Sequence, residues 1–225
     1  LWALPIDAAT QVAAYRPDLL NKLSLKVPKT WRQVIRLAKR CRVGMPLAPL
    51  HAHSSFITMC VNYQVNPFFT NVNRNTLNRL YTILDILKFI SDMCGELCIN
   101  SDPVRILNYM ATEDDICYIP LTYGYYNYSR KGYRSKIIRF SNIPSFTGIP
   151  YGSTLGGAGL AISRRDRYID ETINFVKWFY DLNVQKNIFW KNLGQPADIR
   201  VWVDKYVNRE TDNAYINTLL TIRLS

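Results

Sequence analysis

The stretch from Pro144 to Ser163, PSFTGIPYGSTLGGAGLAIS, limits the fold more than any other part of the sequence. Its first half alternates prolines and glycines, which form neither a helix nor a central strand. Three glycines then cluster at Gly156, Gly157 and Gly159. Without a Cβ, their backbone can take positive φ or approach other atoms closely. A short apolar strand at 160–162 and a helical pattern after 163–166 follow, so we expect a junction between two structural units where a ligand contacts main chain.

The glycine cluster does not match the known phosphate-binding motifs. The spacing from Gly152 to Gly157 resembles a P-loop, but Ala158 stands where that loop needs a lysine. The cluster precedes a strand instead of a helix, so dinucleotide binding does not fit either. No serine occupies a G-x-S-x-G elbow. These absences favour a binding protein without a cofactor over an enzyme.

Strands and helices alternate along the 225 residues, which predicts the α/β class and allows one large domain or two lobes. Strands are predicted at 12–15, 43–50, 116–121 and 135–140. Helices are predicted from Pro17, after the N-cap Thr30, at 56–63, at 76–93, from Pro103, after 163–166, at 183–190 and in the tail from 204.

The net charge of +11 indicates an anionic partner or a solvated basic surface, and we interpret the basic residues as spread along the chain. Nucleic-acid binding therefore stays open as an alternative. Tyrosines cluster after the predicted strand at 116–121, namely Tyr123, Tyr125 and Tyr126 around Gly124. Such a cluster predicts an aromatic platform lining a cleft, with core packing as the alternative.

The five cysteines form no C-x-x-C pair, and with two histidines in the chain we predict buried free thiols and no metal site. His51 and His53 lack nearby acidic or thiol partners in the sequence. The acidic cluster holds Asp114 and Asp115, and paired carboxylates can perform general acid and base chemistry. A carbohydrate-active enzyme using Asp114 or Asp115 is thus a second alternative, although the cluster looks like a turn before a strand.

Six segments, taken in order, carry a family resemblance: LPIDAATQVAAYRPDLL, PKTWRQVIRLAKR, ATEDDICYIPLTYGY, GGAGLAIS, INFVKWFYDLNVQ and LGQPADIRVW. Together they resemble the extracellular solute-binding proteins of ABC importers, in the sugar-binding family of the maltose-binding-protein type. The resemblance implies a periplasmic-binding-protein type II fold, with two α/β lobes joined by hinge strands and a ligand in the cleft.

The family pattern also implies a division of the chain. Residues 1–16 would cross from the N-terminal lobe, residues 17–150 would form the C-terminal lobe, and residues 151–225 would hold the return crossing and part of the N-terminal lobe. That lobe would be incomplete, so we expect a fragment of a longer protein.

Carried over position by position, the resemblance implies a ligand site formed by nine residues: Asp7, His53, Ser54, Tyr123, Tyr125, Tyr126, Gly156, Gly157 and Gln195. His53 and Ser54 would lie at a helix start. The implied partners are a sugar or sugar derivative and the transporter's permease subunits, without nucleic acid, for a monomer outside the cytoplasm, anchored if it is a lipoprotein. The high positive charge leaves an anionic sugar or a phosphorylated polyol open as the ligand.

Overall fold

A computed structural model describes residues 3–68, 70, 72–113 and 115–225, and its centre is a five-stranded sheet. The strands are β2 (Ala9–Tyr15), β3 (Arg42–Val43), β4 (Ile116–Tyr123), β5 (Arg139–Ser141) and β6 (Leu155–Gly156). Their order is β3-β4-β2-β5, and β6 also pairs with β2. β3 runs parallel to β4, while β2 is antiparallel to β4, β5 and β6. A second, two-stranded sheet joins β1 (Leu4–Pro5) to β7 (Gly159–Leu160).

Helices cover both faces of the central sheet because alternate strand residues point to opposite sides. Val12 and Ala14 enter one core, whereas Ala13 enters the other. The core around Ala13 is covered by α1 (Pro17–Lys22), α2 (Trp31–Ala38), α3 (Pro49–Asn62) and α4 (Arg74–Cys94). The core around Val12 is covered by α5 (Glu96–Ile99), α6 (Pro103–Thr112) and the C-terminal helices. Two layers of helices on one sheet confirm the predicted α/β class.

Helix starts follow the local sequence signals. The Thr30 side chain accepts a hydrogen bond from the Gln33 backbone, and the Gln33 side chain accepts from the Thr30 backbone in return, which completes a capping box. Asp102 caps α6 ahead of Pro103, as predicted. Gly95 ends α4 with a φ of 64°, also as predicted.

The predicted strand at 43–50 and the predicted helix start at 56 are wrong. β3 contains only Arg42 and Val43, and α3 already begins at Pro49. Proline is favoured in the first turn of a helix, where its missing N–H has no partner to lose. Pro49 therefore starts α3 within the range predicted as a strand.

The last part of the chain packs on the central sheet. It forms four short helices: α9 (Ile199–Trp202), α10 (Lys205–Glu210), α11 (Ala214–Asn217) and α12 (Leu219–Leu224). Val201, Trp202 and Tyr215 are buried in the same core as Val12 and Phe140. In the predicted division these residues follow the return crossing, and in the structure their side chains share a core with residues of β2, α6 and β4.

The prediction of free thiols is wrong for four of the five cysteines. Cys41 is bonded to Cys117, which joins the end of the α2 turn to β4, and Cys94 is bonded to Cys98 between α4 and α5. Cys60 is a buried free thiol, and burial raises its pKa to about 11. Pairing leaves one inert thiol, which suits an oxidising compartment better than five free thiols would.

Between β7 and α9 lie α7 (Ile169–Phe179), the short α8 (Leu182–Val184) and a π-helical turn at Gln185–Trp190. α7 begins at Ile169, close to the start predicted after 163–166, and the residues before it include a turn at 164–165 and a bend at 167. In the described part of the chain, no helix is both long and apolar enough to span a membrane.

Candidate functional site

Two segments distant in sequence run side by side at one edge of the central sheet. In residues 4–10, Leu4 pairs with Leu160 and Ala9 pairs with Gly156, both antiparallel. The Ile6 N–H also donates to the Ala158 carbonyl at 2.9 Å. The 4–10 segment and the 151–160 segment thus form a two-stranded connection, and the glycine cluster identified in the sequence lies within it.

Asp7 and Gly157 face each other between the two strand pairs. The Asp7 carboxylate accepts a hydrogen bond from the Ala158 N–H. Gly157 has a φ of +147°, and a Cβ there would lie 2.8 Å from the Asp7 carbonyl oxygen. Glycine is therefore required for both reasons, its backbone conformation and the close approach of Asp7. The result is a half-buried carboxylate beside exposed main chain.

Aromatic rings stand opposite this backbone. Tyr123 ends β4, and Tyr125 follows it with 41% of its surface exposed. The His51 ring meets the Tyr123 ring edge-on, with their centroids 6.2 Å apart. Partial burial, followed by the charges of Asp102 and Asp7, raises the pKa of Tyr125. Its hydroxyl is therefore neutral at physiological pH and can donate a hydrogen bond.

These groups enclose one cavity of about 360 Å³. Its lining consists of Asp7, Ala9, Leu50, His51, Tyr123, Tyr125, Gly156, Gly157, Ala158 and Gln195. Six of the nine residues predicted for the site are in this set, although they come from four separate parts of the chain. A wider opening of about 540 Å³ continues from it past Ala3, Pro5 and Ala197.

Gln195 holds the cavity wall together. Its Nε2 donates to the Ala8 carbonyl at 2.9 Å, and its Oε1 accepts from the Tyr126 N–H at 3.2 Å. One amide thereby connects the 4–10 segment to the tyrosine turn after β4. Gln195 thus positions the site, because both ends of its amide already have protein partners.

A buried polar network anchors the 151–160 segment to α3. The Asn62 side chain donates to the Gly152 carbonyl and accepts from the Tyr151 N–H, both at 2.8 Å. Thr58 Oγ1 donates to Gln11 Oε1 at 2.6 Å and accepts from the Thr154 N–H at 3.0 Å. Polar side chains that satisfy loop backbone in this way fix the loop relative to the helix.

Three predicted site residues lie elsewhere. His53 and Ser54 are inside α3 instead of at its start, and the Ser54 hydroxyl is occupied by the Leu50 carbonyl at 2.9 Å. Tyr126 is buried in the core, where its hydroxyl bonds to Thr218 at 2.7 Å and its ring contacts Phe140 edge-on. A 3-10 turn at Tyr126–Ser129 directs that ring inward, so the core-packing alternative holds for Tyr126.

His51 also lines the cavity, and it is not among the nine predicted site residues. The signal was present in Pro49, because a helix starting there places residue 51 in its first turn. His51 Nδ1 is buried without a hydrogen-bond partner among the described residues. An unpaired buried nitrogen is costly unless a ligand or water satisfies it, so His51 adds a polar group to the aromatic wall.

Asp115 of the acidic cluster does not line the cavity. Asp115 Oδ2 pairs with the Arg42 guanidinium at 2.5 Å and accepts from the Tyr109 hydroxyl at 2.9 Å. This contact joins β3 to β4 and leaves Asp115 outside the cavity lining. Asp114, the other carboxylate of the proposed enzyme, is outside the described residues. Nowhere in the described ranges do three His, Cys, Asp or Glu side chains come together to hold a metal ion.

No family model and no curated protein matches the sequence. Solved structures do match across the chain. An ABC transporter solute-binding protein from Agrobacterium radiobacter K84, in complex with ribitol, is 17% identical with a TM-score of 0.79, covering 100% of this chain and 60% of its own. An ABC transporter solute-binding protein from Agrobacterium vitis S4 with bound D-mannitol is 15% identical with a TM-score of 0.75, and the match covers 99% of this chain and 58% of that protein. Maltose-bound MalE3 of T. maritima is 15% identical with a TM-score of 0.74, and the match covers 96% of this chain and 61% of that protein.

These similarities show that the chain has the solute-binding-protein fold, as the resemblance implied. The chain spans about 60% of the length of the matching structures. The matched proteins are transport binding proteins, and their bound ligands are polyols and sugars.

Proposed function

We propose that this chain is the ligand-binding component of an ABC importer, which captures a neutral sugar or polyol and delivers it to a membrane permease. The observation that carries the proposal is the 360 Å³ cavity between the tyrosine wall and the paired segments. The shared fold with sugar-binding transport proteins supports the same conclusion.

The chemistry of the lining suits a polyhydroxylated ligand. The faces of Tyr123 and Tyr125 can cover the C–H surface of a sugar. Asp7 accepts hydrogen bonds from ligand hydroxyls, and the exposed backbone of Gly157 offers further polar groups at close range. A few polar groups on a mainly apolar wall can orient a ligand that carries no charge.

The lining also discriminates by charge. Among the described residues of the lining, the one carboxylate is that of Asp7, and there is no lysine or arginine. An anionic sugar or a phosphorylated polyol would bring a second negative charge next to Asp7. A neutral ligand is therefore favoured over the anionic ligands that the net charge of +11 left open.

The two disulfides support a location outside the cytoplasm, where such bonds persist. The same proposal includes binding to a permease, anchoring as a lipoprotein, a monomeric state and closure of two lobes by hinge bending. In that scheme the paired 4–10 and 151–160 segments are the hinge, since they connect the sheet to α7.

A thermal-shift screen of the purified protein tests the proposal. Ribitol, D-mannitol and maltose would be compared with D-glucuronate, an anionic sugar without a phosphate group. We expect at least one neutral ligand to stabilise the protein, by about 2.7 kcal/mol at 100 times its dissociation constant. D-glucuronate should give a smaller shift.

Two tyrosine variants locate the binding. Tyr125→Ala removes a ring from the cavity and should abolish the ligand-induced shift, whereas Tyr168→Ala removes an exposed ring outside it and should leave the shift intact. Absence of stabilisation by every neutral ligand, or an equal loss in both variants, would contradict the proposal.

A further inference from the structure

The net positive charge of the chain is concentrated in one region. Residues 19–84 contain ten lysines and arginines and no aspartate or glutamate. The remaining residues carry eighteen basic and seventeen acidic side chains, so they are close to neutral. Basic residues are spread along the chain as predicted, but in residues 19–84 no acidic residue balances them, so this region carries most of the net charge.

Part of this charge surrounds a groove of about 470 Å³ between the α1–α2 connection and α2. Lys26, Lys29, Arg36 and Arg40 stand around it with exposed side chains. Apolar residues form the floor, namely Leu25, Val27, Pro28 and Leu37, and Gln33 completes the lining. We define these nine residues as the basic groove.

The four cations have no acidic partner within the described ranges, because none of them takes part in an ion pair there. The C-terminal end of α2 lies beside Arg36 and carries about half a negative charge. Four full positive charges outweigh that half charge. The field inside the groove therefore attracts anions.

The groove is also independent of the ligand cavity. No residue lines both. α2 packs on the core around Ala13 through Trp31, Val34 and Leu37, whereas the cavity opens where the 4–10 and 151–160 segments pair. An anion in the groove would therefore leave the proposed sugar site free.

We propose that the basic groove binds a phosphate group attached to an apolar or weakly polar carbon skeleton. Arginine matches phosphate oxygens with two parallel N–H donors, which suits Arg36 and Arg40, and the lysines add point charges. The apolar floor accommodates the carbon portion. A phospholipid headgroup and a soluble phosphorylated metabolite share this chemistry, and the concave shape favours either over a long polyanion lying on the surface.

The test compares two variants with equal loss of charge. Arg36→Gln/Arg40→Gln removes the arginines of the groove. Arg164→Gln/Arg165→Gln removes two exposed arginines outside it. Calorimetry with inorganic pyrophosphate measures the soluble ligand, and sedimentation with phosphatidylcholine vesicles, with and without phosphatidylglycerol, measures the lipid. We expect the groove variant to bind the probe at least about tenfold more weakly, and the control variant to bind like the wild type.

Binding of pyrophosphate without binding to the anionic vesicles would identify a soluble ligand, and vesicle binding that pyrophosphate displaces would identify a lipid headgroup. Either result supports phosphate binding in the basic groove. Equal weakening in both variants would overturn the proposal, because the effect would then come from the overall charge of the protein. No binding of either probe would overturn it too, as would tight binding of duplex DNA that pyrophosphate does not displace.

Discussion

The central sheet and the α7 segment, residues 161–183, both contain large apolar side chains but bury them very differently. Around the sheet, β2 and β4 are almost completely enclosed, and large rings such as Trp202 are 2% exposed. In the α7 segment Val176 is the one buried residue, while Phe175 and Trp178 are 51% and 47% exposed. Apolar periodicity alone therefore does not determine burial; a second surface must be present to pack against.

The difference also explains where the candidate site lies. The cavity is at the boundary between the two regions, because the 151–160 segment leaves the sheet there and leads to α7. The enclosed region supplies the rigid wall of Tyr123 and His51. The exposed region is joined to it through short paired strands and the Tyr180 hydroxyl, which donates to the Pro5 carbonyl.

The largest expected effect comes from tryptophan truncation in the two regions. Trp202 donates its Nε1–H to the Pro196 carbonyl and contacts Tyr126 and Tyr215 edge-on. Trp202→Ala should lower the free energy of unfolding by about 3–5 kcal/mol, because it leaves a large cavity. Trp178→Ala should change it by less than about 0.5 kcal/mol. Denaturant titration measures both free energies. Similar losses in the two variants would contradict the difference in burial between the two regions.

Removing the long-range disulfide should have the next largest effect. Cys41 and Cys117 are 76 residues apart, so their bond restricts the unfolded chain strongly. Cys41→Ala/Cys117→Ala should cost about 2–4 kcal/mol. The Cys94–Cys98 bond spans 4 residues, and Cys94→Ala/Cys98→Ala should cost less in the same titration. A reversed order of the two double variants would contradict this explanation.

A glycine pair tests the junction between the regions. Gly157 and Gly132 both have positive φ, but a Cβ at Gly157 would collide with Asp7, whereas at Gly132 it would meet no atom within 4 Å. Gly157→Ala should cost about 1–3 kcal/mol and weaken ligand binding, and Gly132→Ala should cost less and leave binding unchanged. Equal effects of the two variants on ligand affinity would show that Gly157 is not part of the ligand site.

The smallest effect is a pH dependence at the edge of the enclosed region. The buried Arg16 donates to the Asp18 carboxylate at 2.8 and 2.7 Å, and these bonds lower the pKa of Asp18 below 3.8. The resulting stabilisation is present above pH 3.8 and is lost as the pH falls through the lowered folded-state pKa. Since Asp18 is half exposed, the effect should be at most about 1 kcal/mol. Asp18→Asn should reduce the loss of unfolding free energy at acidic pH. An unchanged loss would show that Asp18 is not its source.

Local signals in the sequence predicted the starts of α2 and α6 and the end of α4, although not the start of α3 at Pro49. Thr30, Asp102 and Gly95 each act through neighbouring backbone groups, so the chemistry that defines them lies within a few residues. Six of the nine site residues were likewise placed at one cavity, since the resemblance supplied the chain path that brings distant segments together. Their role in ligand binding remains a prediction.

Several features that the sequence did not reveal depend on long-range contacts. The direction of Tyr126 is fixed by a turn and by Thr218, ninety-two positions away, and no local pattern distinguishes it from Tyr125. The Cys41–Cys117 bond and the packing of α9–α12 on the sheet likewise join residues far apart in sequence. Periodicity describes one face of an element, but it does not say which other element covers that face.

The most direct test of the proposed cavity is a crystal structure of the protein with the neutral polyol that stabilises it most. We expect the polyol to lie against the Tyr125 ring, with one hydroxyl bonded to Asp7 and others near the backbone at Gly157. A polyol bound outside this cavity, for example in the basic groove, would contradict it.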